Sequence, residues 1–320
     1  MKDKLPKISI LVITYNQGKI INRALDSILR QKEYVYEIII GDDCSTDNNW
    51  EVINHYAKQY SDLVKPIRNK QNLGIFGNME NLYDKPTGDI VFWLSGDDEF
   101  CDGLFFEAIK LINNYNIDYK NELFCLYFDY KIVWSDNTSR IYRNNIIKKG
   151  FDPVSLKLRA CISNRTTGYS VHILNKFSPV RKDIGIYADG LQDIQLQLNS
   201  IYNYYSSFVG SIYHAGIGVS YVTPPIEHFQ SRLALYNELE QIIEWRPKDR
   251  MYLRYKKEKV LLYIKPSIKQ MIIMMSYYFR AIDCKYGVKG LKIKETCFKI
   301  FKNTLTKLKT CKSHQNSDSL

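Results

Sequence analysis

Two runs of adjacent acids are the residues best equipped for chemistry. They are Gly41-Asp42-Asp43-Cys44-Ser45-Thr46-Asp47 and Ser95-Gly96-Asp97-Asp98-Glu99, and each follows an unbroken apolar run, Ile38-Ile39-Ile40 or Ile90-Val91-Phe92-Trp93-Leu94. Such runs suit strands covered on both faces of a mostly parallel sheet. In open α/β sheets, ligands bind outside the carboxyl ends of the strands. Neighbouring carboxylates there repel each other and are costly without a counter-charge. Hard Mg²⁺ or Mn²⁺ is a natural one, because it takes oxygen ligands and bridges phosphates. A single Asp-Asp pair reads as a solvated turn. Two pairs at the ends of two strands point to a ligand site.

The elements that must position these acids are legible around them. Lys7 to Tyr15 reads as a buried first strand, broken by Asn16-Gln17-Gly18, and Ile20, Ile21, Ala24, Leu25, Ile28 and Leu29 then recur at helical spacing. Glu37–Ile40 is a second strand, with Ser45 or Thr46 as cap for a helix that places Val52, Ile53, Tyr56 and Ala57 on one face. A weaker strand at Leu63–Ile67, a polar loop carrying Asn72 and Gly74, and a short helix precede Thr87-Gly88-Asp89 and the apolar run that ends in Asp97-Asp98. Strands alternating with helices imply a parallel α/β sheet.

Composition narrows the class. The formal net charge of +11 is concentrated late, with 19 Lys/Arg against 6 Asp/Glu in Gln241–Leu320 and 26 against 28 before it. That balance argues against nucleic acid as a partner of the main domain and for an anionic membrane surface near the C-terminal region. The seven cysteines are scattered and never spaced C-x-x-C, which suggests neither a disulfide framework nor a zinc site. No signal core follows Met1, and no run approaches the length of a spanning helix. A cytoplasmic protein, peripheral on the inner face of the membrane at most, is expected.

The ordered set Ile13-Thr14-Tyr15-Asn16, Ile40 to Asp47, Asn72-Leu73-Gly74, Thr87-Gly88-Asp89 and Ser95-Gly96-Asp97-Asp98 resembles the GT-A glycosyltransferases of family 2. The resemblance is close over about the first 110 residues and looser to about residue 222. It implies a GT-A fold, with a mostly parallel central sheet flanked by helices and a helical basic C-terminal extension. It also implies an inverting enzyme using a nucleotide-diphosphate sugar, a UDP-sugar first, with Mn²⁺ or Mg²⁺. Carried over by position, Thr14 and Tyr15 line the base and ribose pocket, Asn16 and Asn72 belong to the nucleotide-sugar site, and Asp42 or Asp43 accepts from the edge of the base. Ser95, Gly96 and Asp97 belong to the nucleotide-sugar site, and Asp98 takes the metal. Ser95 stands where the family often has an acid.

Further along, Gly103–Asn113 reads as a helix, while Phe124–Phe128 and Tyr130–Trp134 read as two strands, the second peripheral. His172 reads as a half-buried strand histidine. In Ile186 to Asp193, Asp189 suits a helix cap with Gln192 at the capping-box position. The resemblance instead makes Asp189, or else Asp193, the base that deprotonates the acceptor hydroxyl. It also places His214, in a strand running into the turn at Gly216 and Gly218, beside the metal and diphosphate.

The organisation expected is a catalytic domain over residues 1–222, split into a nucleotide-sugar half (1–110) and an acceptor half (111–222). A basic helical region (223–312) and a disordered tail (313–320) follow. The acceptor implied is a lipid-linked or polysaccharide glycan of a bacterial surface. A catalytically inactive nucleotide-sugar-binding or scaffolding subunit is the alternative.

Overall fold

A computed structural model describes residues 5–143, 165–173, 181–198, 202–217, 224–245 and 247–281. The stretches Leu291–Lys312 and Ser313–Leu320, and Gly218, lie outside the described residues, as does the side chain of Asp193.

The described chain forms two compact units, of which the second holds residues 183–191 and those from 224 onward. The first is built on a sheet of nine strands: β1 (Ile8–Thr14), β2 (Val35–Asp42), β3 (Val64–Arg68), β4 (Ile90–Ser95), β5 (Glu99–Phe100), β6 (Phe124–Val133), β7 (Ser139–Tyr142), β8 (Thr167–Ser170) and β9 (Tyr202–His214). Their order is β3-β2-β1-β4-β8-β6-β9-β5, with β7 on β6. The sheet is mixed. β1, β2, β3 and β4 pair in parallel, as do β6 and β9, whereas β8 runs antiparallel to both β4 and β6.

Parallel pairing needs crossovers, and helices α1 (Ile21–Leu29), α2 (Asn49–Gln59) and α3 (Gly74–Glu80) lie in the connections between successive strands of that half. The helical spacing of Ile21, Ala24, Leu25 and Ile28 is repaid by complete or nearly complete burial of all four. A fourth helix, α4 (Leu104–Tyr115), starts after Gly103, whose φ of 91° lies where only glycine is unstrained. Phe92 sits at the centre of the core, with the rings of Phe100, Phe105 and Phe128 at 5.6–6.3 Å. Gly168 of β8 faces that ring, and a Cβ there would stand 2.3 Å from a Phe92 ring carbon. A bare backbone at 168 is what lets β8 close onto β4.

The structure corrects several readings. Phe124–Val133 is one continuous strand, because Asp129 and Lys131 do not interrupt it: Asp129 is buried against Arg143 Nη1 (3.0 Å) and the Tyr205 hydroxyl (2.8 Å). Neither Ser45 nor Thr46 caps α2; Asp47 Oδ1 accepts from the Asn49 amide at 3.0 Å. His172 lies beyond the end of β8 in a helical turn and is exposed, with its Nε2 3.0 Å from the Lys120 carbonyl. Asp189 falls in the first turn of α5 (Ala188–Leu198) instead of before it, and its Oδ1 accepts from the next amide, Gly190 N, at 2.7 Å.

At the amino end of the sheet a buried carboxylate ties three segments together. Glu37 Oε1 accepts from Ser9 Oγ (2.7 Å), Thr87 N (2.6 Å) and Thr87 Oγ1 (3.0 Å), and Oε2 takes Lys65 Nζ at 2.5 Å. Gly88 N donates to Ser9 Oγ and Lys7 N to the Asp89 carboxylate. Burial lifts the Glu37 pKa, but the Lys65 ammonium and the Thr87 and Ser9 donors more than offset it and hold it below its ordinary value. The stabilisation is therefore complete above the ordinary carboxylate range and lost as pH falls through the lowered folded value. Glu37→Gln should cost about 1–3 kcal/mol near neutral pH, and that deficit should shrink on acidification. Urea melts at pH 7 and pH 4 test this; equal deficits at both would contradict it.

Candidate active site

Register assembles the site. Thr14 pairs with Asp42 and Ile13 with both Gly41 and Ser95, so β2, β1 and β4 end within one residue of each other. Both acid runs consequently leave the sheet on the same rim.

Asp42 is fully buried. Its carboxylate accepts from Ser45 N (3.1 Å) and Asn49 Nδ2 (2.7 Å), and Arg68 Nε lies 3.3 Å away. Asp43 accepts at Oδ1 from Asn69 Nδ2 and Leu73 N, both at 2.8 Å. Those bonds fasten the loop after β3 to the rim. Asn72 is exposed there and turns its Oδ1 to Gly74 N.

Thr14 is buried and its hydroxyl donates to Gln17 Oε1 at 2.7 Å. Tyr15 leaves its ring 43% exposed at the strand end. Asn16 adopts φ 52°, a conformation asparagine tolerates, and so faces the second loop: Asn16 N donates to Ser45 Oγ (2.9 Å) and Thr46 N to Asn16 Oδ1 (2.8 Å).

The second acid run is held through its backbone. Gly96 N donates to the Ile13 carbonyl, Asp98 N to the Ser95 carbonyl, and Arg23 Nη2 to the Asp97 carbonyl. A Cβ on Gly96 would meet Gln17 Oε1 at 2.4 Å and Thr14 Oγ1 at 2.9 Å, so the chain passes too close to β1 for any other residue. β9 returns to this place through β5, where Glu99 pairs with Ile212. His214 N then donates to Asp98 Oδ1 at 3.1 Å. The His214 ring faces Glu99, Nε2 to Oε1 at 2.9 Å. His214 thus reaches the candidate metal acid through its amide, with its ring nitrogen on a different carboxylate.

Asp97 and Asp98 are 5% and 7% exposed. Burial, then the Asp97 charge, push the Asp98 pKa up to about 7, and Arg165, with Nη1 4.0 Å from Asp98 Oδ2, relieves only part of it. An adjacent, buried and incompletely neutralised pair of hard oxygen donors fits a divalent cation. Among the described residues no three His, Cys, Asp or Glu side chains gather to hold a metal, so a cation on Asp98 would draw its other ligands from a bound diphosphate and water.

Arg165, Arg23, Asn49 and Asn69 were not singled out by sequence reasoning. Arg165 lies far along the chain from the acids, and its guanidinium stacks on Tyr213 at 3.4 Å from the ring centroid. Only the pairing of β4 with β8 brings it near.

Residues 9–120 match the sequence family described as Glycosyl transferase family 2. The match spans about a third of the chain, and the chain in turn spans about a third of the length of the curated relatives it matches. The chain is 34% identical over 110 residues to the GalNAc(5)-diNAcBac-PP-undecaprenol beta-1,3-glucosyltransferase of Campylobacter jejuni, an alignment covering 34% of this chain and 35% of that protein. Solved structures extend the likeness beyond it. S. aureus TarS 1–349 in complex with UDP-GlcNAc superposes with a TM-score of 0.61 at 17% identity, over 85% of this chain and 79% of that one. The mannosyltransferase PcManGT from Pyrobaculum calidifontis, in complex with GDP-Man and Mn²⁺, gives 0.60 at 14% identity over 95% and 87%. The fold around the matched residues is GT-A, as the sequence led us to expect, with helices flanking a sheet that is mixed where a mostly parallel one was expected.

Because the raised Asp98 pKa belongs to the folded state, the folded metal-free protein binds a proton the unfolded chain has released. Its stability therefore falls as pH rises from about 4 to about 7. Asp98→Asn removes that loss while keeping an acceptor for the His214 amide. Metal-free melts should show the variant gaining on the wild type across this window; parallel curves would refute the assigned burial.

Proposed function

We propose that the protein is a divalent-metal-dependent inverting glycosyltransferase. It moves a sugar from a nucleotide-diphosphate sugar, a UDP-sugar first, to a lipid-linked or polysaccharide acceptor in bacterial surface-glycan synthesis. One observation carries the reading: the parallel register brings the Asp42-Asp43 and Asp97-Asp98 pairs to one rim. A nucleotide needs just such a rim, with acceptors for a base at one side and a cation for its diphosphate at the other.

Asp42 spends its carboxylate on Ser45, Asn49 and Arg68. The edge of the base then falls to Asp43, whose recorded bonds both go to Oδ1. Tyr15 and Asn16, with Thr14 behind them, bound the ribose and base, and Asn72 closes the loop side. Ser95 and Gly96 bring the chain close to the nucleotide-sugar, and Asp97 adds to the field at Asp98. A divalent cation on Asp98, with His214 nearby, supplies positive charge for the departing diphosphate when bound. Arg165 adds a second positive charge on the same side. Asp189 takes the proton from the acceptor hydroxyl, with Asp193 the other candidate on the same helix. A single displacement inverts the anomeric centre and forms no covalent sugar-enzyme adduct.

For the membrane partner, Ile268 and Ile272 are 58% and 60% exposed one turn apart in the helix Ile268–Ala281, next to exposed Lys265 and Lys269. No described helix is long and apolar enough to cross a membrane. An apolar pair between lysines suits the surface of an anionic bilayer.

A panel of UDP-, GDP- and dTDP-sugars, screened by thermal shift with and without Mn²⁺, should show metal-dependent stabilisation by one nucleotide class. With that donor, Asp98→Ala and Asp189→Ala should each lower transfer by about 10²–10⁴-fold while each variant still folds and melts cooperatively. NMR of the product should show the opposite anomer to the donor. Retained turnover in either variant, or a retained anomer, would rule out the assigned mechanism.

A further inference from the structure

Arg165 owes its place at the rim to β8. Gly168 pairs with Phe92 in antiparallel register, so the residues before β8 run towards the carboxyl end of β4 and its acids. The Arg165 side chain is half-buried there. Its guanidinium lies 3.4 Å from the Tyr213 ring centroid, a planar cation on a ring face, and Nη1 stands 4.0 Å from Asp98 Oδ2. Tyr213 is delivered by β9, in register with Ile132 of β6.

The two arginines at this acid run are held differently. Arg23 spends Nη2 on the Asp97 carbonyl and so fixes main chain. Arg165 carries a full set of N–H donors, yet among the described residues it makes no hydrogen bond. Its contacts are a ring face and a carboxylate beyond bonding distance. Asp98 is anchored the other way, through Oδ1 and the His214 amide, which leaves Oδ2 towards Arg165. The oxygen left for a cation therefore already faces one, and that one is loosely held.

An arginine does not yield by losing its proton, as a lysine can. Arg165 must instead give way against like-charge repulsion if a divalent ion comes to Oδ2 alone. With a diphosphate alongside, the displaced guanidinium gains a bidentate partner and the balance reverses. We propose that Arg165 is a positioning residue that couples the metal to the diphosphate, opposing a cation at Asp98 that comes alone and favouring one that comes with the anion. The Tyr213 face keeps the guanidinium in reach of both positions. Such coupling is reciprocal, so Arg165 raises the affinity for the diphosphate in the presence of the ion by the factor it adds in the other direction. The inference rests on the proposed reading of Asp98 as the metal acid of a nucleotide-diphosphate site.

The test compares the wild type, Arg165→Gln and Arg165→Lys as full chains. Mn²⁺ binding without nucleotide is read from the electron paramagnetic resonance of the free ion. Calorimetric titration then gives the affinity for UDP, GDP or dTDP at fixed Mn²⁺. Arg165→Gln should bind Mn²⁺ alone about fivefold tighter, and the nucleoside diphosphate in Mn²⁺ about tenfold weaker. Arg165→Lys keeps the charge without the fork, so it should match the wild type with Mn²⁺ alone and fall between the two with nucleotide. A residue that merely braced the rim would move both affinities the same way or neither, and either result would overturn the proposal. A wild type that takes Mn²⁺ but none of these nucleotides would reject the donor reading instead. The metal-alone comparison would still decide whether Arg165 opposes the cation.

Discussion

The constraint on which the candidate site depends is the alignment of three parallel strands. Hydrogen bonds fix β1 between β2 and β4 so that Thr14, Asp42 and Ser95 end within one residue of each other. Neither acid run is a site alone. Shifting β4 by one residue would turn Phe92 and its neighbours to the opposite face of the sheet and move Asp97-Asp98 off the rim where Asp42-Asp43 emerges. The fixing is done at the far end of the sheet, where Glu37, a fully buried residue of β2 paired with Ser9 of β1, takes the Thr87 and Ser9 donors. Thr87-Gly88-Asp89 is therefore a structural tie at the amino end of β4, remote from the acids it was grouped with by sequence resemblance.

At the rim itself much of the positioning is done by main chain. Asp98 is held by the amide of His214, Asp43 by the amide of Leu73, and Gly96 by the carbonyl of Ile13. Backbone anchors do not depend on rotamers, so they keep a repelling pair of carboxylates in place without neutralising it. The residual charge is what makes the pair receptive to a cation. A fully satisfied Asp98 would be a poorer ligand.

Much of this half was legible beforehand for a simple reason. Apolar runs of strand length, turn residues and helical periodicity are local signals, and they fixed β1 to β4, α1 to α4 and both acid clusters closely. What escaped was non-local. Arg165 gains its place only because the antiparallel β8 inserts between β4 and β6, and nothing in its neighbourhood in sequence announces that. The strand over Phe124–Val133 read as two because Asp129 fell between them, and its neutralisation by Arg143 arrives from fourteen residues away.

The pairing of β9 with β6 slips at Phe128, Asp129 and Tyr130, so that β9 spends extra residues over Ser206–Val209 where β6 spends none. That slack bends β9 so that, while it stays paired with β6 as far as His214, its other edge takes the two-residue strand beyond Asp98. The geometry of the rim's second wall is thus stored as a length and not as a side chain. Swapping residues in that bend would alter its texture, whereas removing even one would draw His214 back along the strand and strip Asp98 of its amide.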